Sequence, residues 1–264
     1  MPAHRKKGPS FGAIVCGGAA VIALLVIFGG FGLFYWQETN KPKQDPESLC
    51  LETGAVAQLV ILIDETDPLT LTQLNFARTR IDRMIEEADV GTRISIGIVA
   101  PDAAEREAAF VSICRPAEQA NALSENVKMV RDRYHEKFLN PVNGMLDDLM
   151  VVSERDSSPI LESLQELLSR IPGFLPEDVP AKLVILSNLA QHSSTLSFYK
   201  GGNWESFKAS GGTARLSHAL QGMEIQLFQI PASPAFQPTL EDFWRRYLDL
   251  QGAGRLNYQS LGDL

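Results

Sequence analysis

Polar residues that directly follow apolar runs are the first candidates for chemistry in this sequence. Asp64 and Thr66 come after the run QLVILI, and Ser187 and Asn188 come after the run AKLVIL. Ser158 lies in a third polar segment, SERDSS. Carboxylate, hydroxyl and amide oxygens are the ligands that Mg²⁺ prefers. Asp64, Thr66, Ser158 and Asn188 therefore predict an oxygen-rich magnesium site.

The elements that must position these residues alternate between strands and helices. Buried apolar runs predict strands at 58–63, 94–99, 108–114, 181–186 and 223–230. Apolar residues at helical spacing predict helices at 70–87, 123–152 (interrupted near Pro141), 159–171, 213–221 and 239–251. Segments 101–107 and 199–212 are polar and predict loops. This order favours a three-layer, doubly wound, mostly parallel α/β sheet of Rossmann-like type, with an antiparallel third strand.

The candidate ligands fall at one edge of that sheet, because parallel strands end together and such sheets bind ligands at their carboxyl ends. The same residue types also have ordinary structural uses. Asp64 and Thr66 satisfy the backbone of a turn in that interpretation, and Asn188 bonds a neighbouring loop. Ser158 would then be the N-cap of the helix that begins at Pro159.

The order of elements and the residues Asp64 and Thr66 resemble the von Willebrand factor A (VWA) domain. That family binds Mg²⁺ through an Asp-x-Ser-x-Ser motif after the first strand, a Thr before a middle helix and an Asp after the fourth strand. In this chain Pro68 replaces the second Ser, Ser157 or Ser158 takes the place of the Thr, and Asn188 replaces the late Asp. The resemblance covers most of 57–252 and implies a protein-binding domain with a degenerate metal motif.

A second interpretation makes Asp64 the nucleophile of a Mg²⁺-dependent phosphohydrolase that resembles the haloacid dehalogenases. Ser187 and Asn188 fit that family's second motif. The family also needs an Asp two residues after the nucleophile, where this chain has Thr66, and a late acidic pair, for which Asp263 is the nearest candidate. A G-x-S-x-G elbow, a Walker loop and an H-E-x-x-H motif are absent from the sequence. We therefore expect no enzyme.

Residues 11–36 carry no charge and are long enough to cross a bilayer as a helix. Residues 1–10 form a short basic head, which places the N-terminus in the cytoplasm. The run ends in Tyr35 and Trp36 and exceeds the apolar region of a cleaved signal peptide, so we expect a single-pass signal anchor in the cytoplasmic (inner) membrane. Residues 37–51 form a tether, and 52–264 form the α/β domain in the periplasm or outside the cell.

Charge and cysteine content agree with an extracytoplasmic domain. All 32 acidic residues follow the anchor, but only 21 of the 24 basic residues do, so the domain repels phosphate backbones and nucleic acid is not expected as a partner. Cys50 and Cys114 would lie in an oxidising compartment, where a disulfide between them is one hypothesis and two buried thiols are the other.

Aromatic residues in the glycine-containing segment around 201–202 form the last candidate surface. Tyr199, Trp204 and Phe207 either contact a partner or fold back onto the core. With the anchor, the acidic domain and the partial metal motif, the sequence predicts a membrane-anchored binding or scaffolding module that joins protein partners in an envelope complex.

Overall fold

The computed structural model describes residues 24–36, 43–66, 68–120, 126–148, 155–174, 178–216, 220–232 and 237–262. They belong to two compact units, Met1–Lys43 and Gln44–Leu264. In the first unit, residues 24–36 are helical, and their large apolar side chains are exposed, from 45% for Phe34 to 70% for Phe28. Among the described residues, no helix has the length and apolar character needed to cross a membrane. Residues 11–23 of the predicted anchor lie outside the described part of the chain.

The second unit is built on one six-stranded sheet. Its strands are β1 (Ala57–Asp64), β2 (Thr92–Val99), β3 (Val111–Cys114), β4 (Ala181–Ser187), β5 (Glu224–Gln229) and β6 (Leu256–Ser260). The strand order is β3-β2-β1-β4-β5-β6. All neighbours are parallel except β2 and β3, which are antiparallel. The predicted doubly wound, mostly parallel sheet with an antiparallel third strand is confirmed.

Helices cover both faces of this sheet. They are α1 (Leu71–Glu87), α2 (Ala103–Ala108), α3 (Val127–Asp132), α4 (Asn140–Asp148), α5 (Ile160–Arg170), α6 (Trp204–Ala209), α7 (Gly212–Arg215) and α8 (Gln237–Leu250). A π-helix, Arg133–Leu139, joins α3 to α4, and a 3₁₀ turn covers Phe198–Lys200.

Alternation along the strands creates two cores. In β1, Val60 and Leu62 face a core that includes α5 and α8, whereas Ile61 and Ile63 face a core that includes α1 and the helical segment 127–148. A strand buried on both faces has no room for polar side chains until it ends. This is why the run LVILI at 59–63 is uniformly apolar and why the first carboxylate comes at its carboxyl end.

The segment 127–148 does not break at Pro141, as the sequence suggested it would. The N–H of Asn140 donates to the carbonyl of His135, five residues back. Proline normally clashes with the carbonyl four residues earlier. The wider turn of the π-helix accommodates the ring, and α4 continues to Asp148.

Three short elements were not predicted. Helix α2 lies in a segment read as a loop and is capped by Asp102, whose side chain accepts the N–H of Ala104 at 2.8 Å. Helix α6 lies in the second predicted loop and is capped reciprocally by Asn203 and Ser206. Strand β6 has the sequence LNYQS and lacks the β-branched residues that mark strands. Each is too short for a hydrophobic period to reveal it.

The second unit begins at Gln44 rather than at 52, because part of the predicted tether packs against it. Leu49 and Cys50 are each 3% exposed, and the N–H of Cys114 donates to the carbonyl of Ser48 at 2.8 Å. Cys50 and Cys114 form a disulfide. The disulfide and the backbone bond tie residues 44–51 to β3.

Candidate functional site

Asp64 lies at the end of β1 and is 1% exposed. Its Oδ1 accepts two hydrogen bonds from Thr66, one from the backbone N–H at 3.1 Å and one from Oγ1 at 2.6 Å. Its Oδ2 accepts the hydroxyls of Ser187 at 2.6 Å and Ser158 at 3.2 Å. We call Asp64, Thr66, Ser158 and Ser187 the Asp64 cluster.

The cluster holds a carboxyl group without a cation. No described lysine, arginine or histidine forms an ion pair with Asp64. Burial raises the pKa of Asp64 above its ordinary value, and the hydrogen bonds from Ser187, Thr66 and Ser158 oppose that rise. The rise follows because an isolated buried charge is costly.

The register of β1 and β4 explains which polar residue reaches Asp64. Ile63 pairs with Leu186, so the next residues along the two parallel strands, Asp64 and Ser187, lie side by side. Asn188 comes one residue later and does not face Asp64 in the same way. Its Oδ1 accepts the N–H of Ala190 at 2.7 Å within its own loop. Of the two residues that the sequence pointed to, Ser187 is the one that donates a hydrogen bond to Asp64, and Asn188 as a metal ligand stays a prediction.

Ser158 is not the N-cap of helix α5. Pro159 occupies that position and makes no side-chain cap. The N–H of Leu161 instead donates to Oε1 of Gln191 at 2.9 Å, so a residue of a distant loop caps the helix. This frees the Ser158 hydroxyl for Asp64.

No family model and no curated protein matches this sequence. The chain is similar to a solved aerotolerance-related membrane protein from Bacteroides fragilis (12% identity, TM-score 0.38, covering 78% of this chain and 92% of that one). It is also similar to the SpRpn10 VWA domain (11% identity, TM-score 0.41, covering 80% of this chain and 91% of that one). It is similar as well to a pilus adhesin, SpaC from Lactobacillus rhamnosus GG, with 11% identity and a TM-score of 0.43. That match covers 81% of this chain and 29% of the adhesin, so the chain spans less than a third of the adhesin. Such identities concern the fold alone.

The sheet itself decides the fold type. It combines the order β3-β2-β1-β4-β5-β6 with an antiparallel β3, helices on both faces and a carboxylate directly after β1. The domain is VWA-like.

The donor set of this VWA-like domain does not fit Mg²⁺ as it is arranged. The hydroxyls of Thr66 and Ser158 donate to Asp64, and the side-chain oxygen of Asn188 accepts from its own loop. Pro68 offers no hydroxyl where the family has one. Among the described residues, no group of three or more His, Cys, Asp or Glu is placed so that it could hold a metal ion. The magnesium site stays a prediction that the side-chain geometry does not support.

Phosphohydrolase chemistry has no support in the cluster either. A nucleophilic carboxylate must be ionised and reachable, but Asp64 is almost fully buried and its pKa is raised by that burial. At the position of the family's second Asp, Thr66 donates to Asp64 rather than serving as an acid or base. Asp263 lies outside the described residues.

An open polar cleft of about 480 Å³ adjoins the cluster, and we call it the His192 cleft. His192 and Ser158 exchange two backbone hydrogen bonds, of 2.8 and 2.9 Å, which join the cleft to the cluster. Within the described chain, Nδ1 of His192 is buried without a hydrogen-bond partner. Lys200 lines the cleft and forms no ion pair with a described carboxylate. Arg106 and Glu162 line it too, but each is engaged by neighbouring side chains.

The three aromatic residues that were predicted to bind a partner differ in how far they are buried. Phe207 is fully buried, with ring centroids 5.2 Å from Phe243. Trp204 packs on both of those rings and is half-buried. Tyr199 is 52% exposed and packs against the ring of His192 at 5.2 Å. Phe207 and Trp204 therefore belong to the core and its edge, and Tyr199 stays a candidate for partner contact.

Proposed function

We propose that this chain is anchored in a cytoplasmic membrane and presents its VWA-like domain on the far side as a protein-binding module of an envelope complex. The observation that carries the binding role is the His192 cleft, an open polar surface at the carboxyl edge of a doubly wound sheet. Ligands of such sheets bind at this edge. The adjoining Asp64 cluster is buried, and both carboxyl oxygens of Asp64 accept hydrogen bonds from its other members, so we assign it to the support of the cleft rather than to the chemistry of a reaction.

The chemistry of the cleft suits a partner loop that presents an acidic or amide group. Lys200 offers an exposed cation without a described counter-ion, and the partly exposed His192 lines the same cleft. Tyr199 stands beside both with half of its surface exposed. Tyrosine is enriched in the buried centres of protein interfaces, where its ring is covered and its hydroxyl finds a partner.

Two further observations support the membrane and extracytoplasmic parts of the proposal. Residues 24–36 are apolar around the whole helix, and each large apolar side chain is at least 45% exposed. A helix that is apolar on all sides is typical of a membrane span or of a deeply buried core. The disulfide between Cys50 and Cys114 is typical of an oxidising compartment.

The binding role is tested by site-specific photo-crosslinking of the full chain in native membranes. A photoreactive amino acid at Tyr199 is compared with one at Leu71, which is 77% exposed on α1. We expect a discrete adduct of constant mass from position 199 and none from 71, and Lys200→Glu should abolish the adduct. Equal adducts at both positions, or none at 199, would contradict a binding surface at the cleft.

The location is tested independently by cysteine labelling in intact cells. Leu71→Cys should react with a membrane-impermeant maleimide before lysis, and the chain should sediment with membranes unless residues 11–36 are deleted. Labelling that requires lysis would place the domain in the cytoplasm and overturn this part of the proposal while leaving the binding role open.

A further inference from the structure

The two edge strands of the sheet, β3 and β6, differ in how their outer sides are covered. At the β3 edge, Ser48 accepts a backbone hydrogen bond from Cys114, and the disulfide holds the covering segment in place. At the other edge, β6 ends the sheet. Proteins usually protect such an edge with charges, prolines or bulges, because unpaired backbone groups attract another strand. The sequence LNYQS contains neither a charge nor a proline.

The register shows which groups of β6 are free. The N–H of Ile225 donates to the carbonyl of Arg255, and the N–H of Leu261 donates to the carbonyl of Gln229. The odd-numbered residues of β6 therefore face β5. Because backbone groups alternate in direction along a strand, the N–H and carbonyl groups of Leu256 and Tyr258 point away from the sheet.

The side chains beside this edge are apolar and exposed. Leu256 is 39% exposed and Tyr258 43%. Together with α8 they line a cavity of about 320 Å³ between β6 and the helix. Glu241 and Arg245 line the same cavity, one helical turn apart on α8. In the described part of the chain neither forms an ion pair.

We infer that the β6 edge binds a second copy of this chain, so that two sheets join into one across a two-fold axis. The two β6 strands run antiparallel, and Leu256 lies opposite Tyr258 of the partner subunit, with each such pair exchanging two backbone hydrogen bonds. The same axis sets the two α8 helices antiparallel and places Glu241 opposite Arg245 of the partner subunit. A surface with both charges one turn apart is complementary to itself, as a two-fold interface requires.

A second copy fits this edge better than a foreign strand does. The rest of the domain is acidic and two copies repel each other over most of their surface, but residues 256–262 carry no charge. The exposed leucine and tyrosine meet each other at the centre, with the ion pairs at the rim. This inference does not depend on the His192 cleft and is tested separately from it.

The mass of the full chain in detergent, measured by analytical ultracentrifugation across a concentration series, tests the dimer. We expect a reversible dimer that Glu241→Arg and Arg245→Glu each weaken roughly tenfold, because two attractive pairs become two repulsive ones. The double variant Glu241→Arg/Arg245→Glu exchanges the charges and should restore the dimer. Glu241 and Arg245 are both exposed, so the substitutions do not put folding at risk.

Cysteine crosslinking tests the register, in a Cys16→Ser background. Asn257 sits at the two-fold axis in a non-hydrogen-bonded pair, where the Cα atoms are about 4.5 Å apart and a disulfide can form. Asn257→Cys should give a covalent dimer. Gln259→Cys is the matched control, since two such residues would lie about 13 Å apart and cannot be bridged. The inference would be overturned if the wild-type chain were monomeric. It would also be overturned if the charge variants did not weaken the dimer and Asn257→Cys formed no covalent dimer.

Discussion

The Asp64 cluster and the His192 cleft adjoin each other at the carboxyl edge of the sheet, but they handle polar groups in opposite ways. In the cluster, every oxygen of Asp64 accepts hydrogen bonds from buried neighbours. In the cleft, Nδ1 of His192 has no partner among the described residues and Lys200 is exposed. A satisfied, buried group stabilises a fold, whereas an exposed cation without a described counter-ion, such as Lys200, is available to a ligand.

This contrast separates a structural role for the cluster from the binding role that we propose for the cleft. Thr66 and Ser158, which the sequence resemblance placed at metal positions, join loops instead, because their hydroxyls donate hydrogen bonds to Asp64. The proposed binding surface includes His192, in the loop after β4, and the backbone pair between Ser158 and His192 fixes this loop to the cluster. The comparison predicts large stability effects and small binding effects for the cluster, and the reverse for the cleft.

The largest expected effect is that of Asp64→Ala. It leaves the hydroxyls of Thr66, Ser158 and Ser187 without their acceptor in a buried site, and we expect a loss of about 3 kcal/mol in the free energy of unfolding. Asp64→Asn keeps an oxygen for Thr66 and should cost about 1 kcal/mol. Urea denaturation followed by circular dichroism measures both. If Asp64→Ala were neutral, the cluster would have no structural role.

A comparison of the wild-type protein with Asp64→Asn across a range of pH tests the raised pKa of Asp64. Well below the ordinary aspartate pKa of about 3.9, the carboxyl is protonated in both the folded and the unfolded chain. At higher pH the unfolded chain ionises first, while the folded chain keeps its proton until the raised pKa is passed. Wild-type stability relative to Asp64→Asn should therefore fall as pH rises through that window and level off above it. A difference that grows with pH would mean that the folded state stabilises the carboxylate instead.

The fold could be predicted well from the sequence, and the cluster in part, for definite reasons. Parallel neighbours end together, so two polar residues after two apolar runs had to meet. Which of Ser187 and Asn188 faces Asp64 depends on register, and a register shift of one residue reverses the facing. Strand β6 was invisible because its five residues show no β-branched pattern. The sequence left open whether Phe207 contacts a partner or folds back onto the core, because its burial depends on Phe243, which is distant in sequence.

A smaller effect distinguishes the two serines of the cluster. Ser187 donates to Asp64 at 2.6 Å and its Oγ also accepts the N–H of Leu189 at 2.8 Å. Ser158 makes a longer bond, of 3.2 Å. We expect Ser187→Ala to lower the free energy of unfolding by about 2 kcal/mol and Ser158→Ala by less than about 1 kcal/mol. The same urea titrations compare them, and the reverse order would contradict the assignment of Ser187 as the main donor.

The smallest effect on stability is expected for His192→Ala. The ring is partly exposed, it contacts Tyr199, and its Nδ1 contributes no described hydrogen bond, so the free energy of unfolding should change by less than about 0.5 kcal/mol. The yield of the photo-adduct from position 199 should nevertheless fall, because His192 lines the cleft and packs beside that position. If instead His192→Ala destabilises the domain as much as Ser187→Ala does, the cleft is a second structural cluster and the contrast between the two regions disappears.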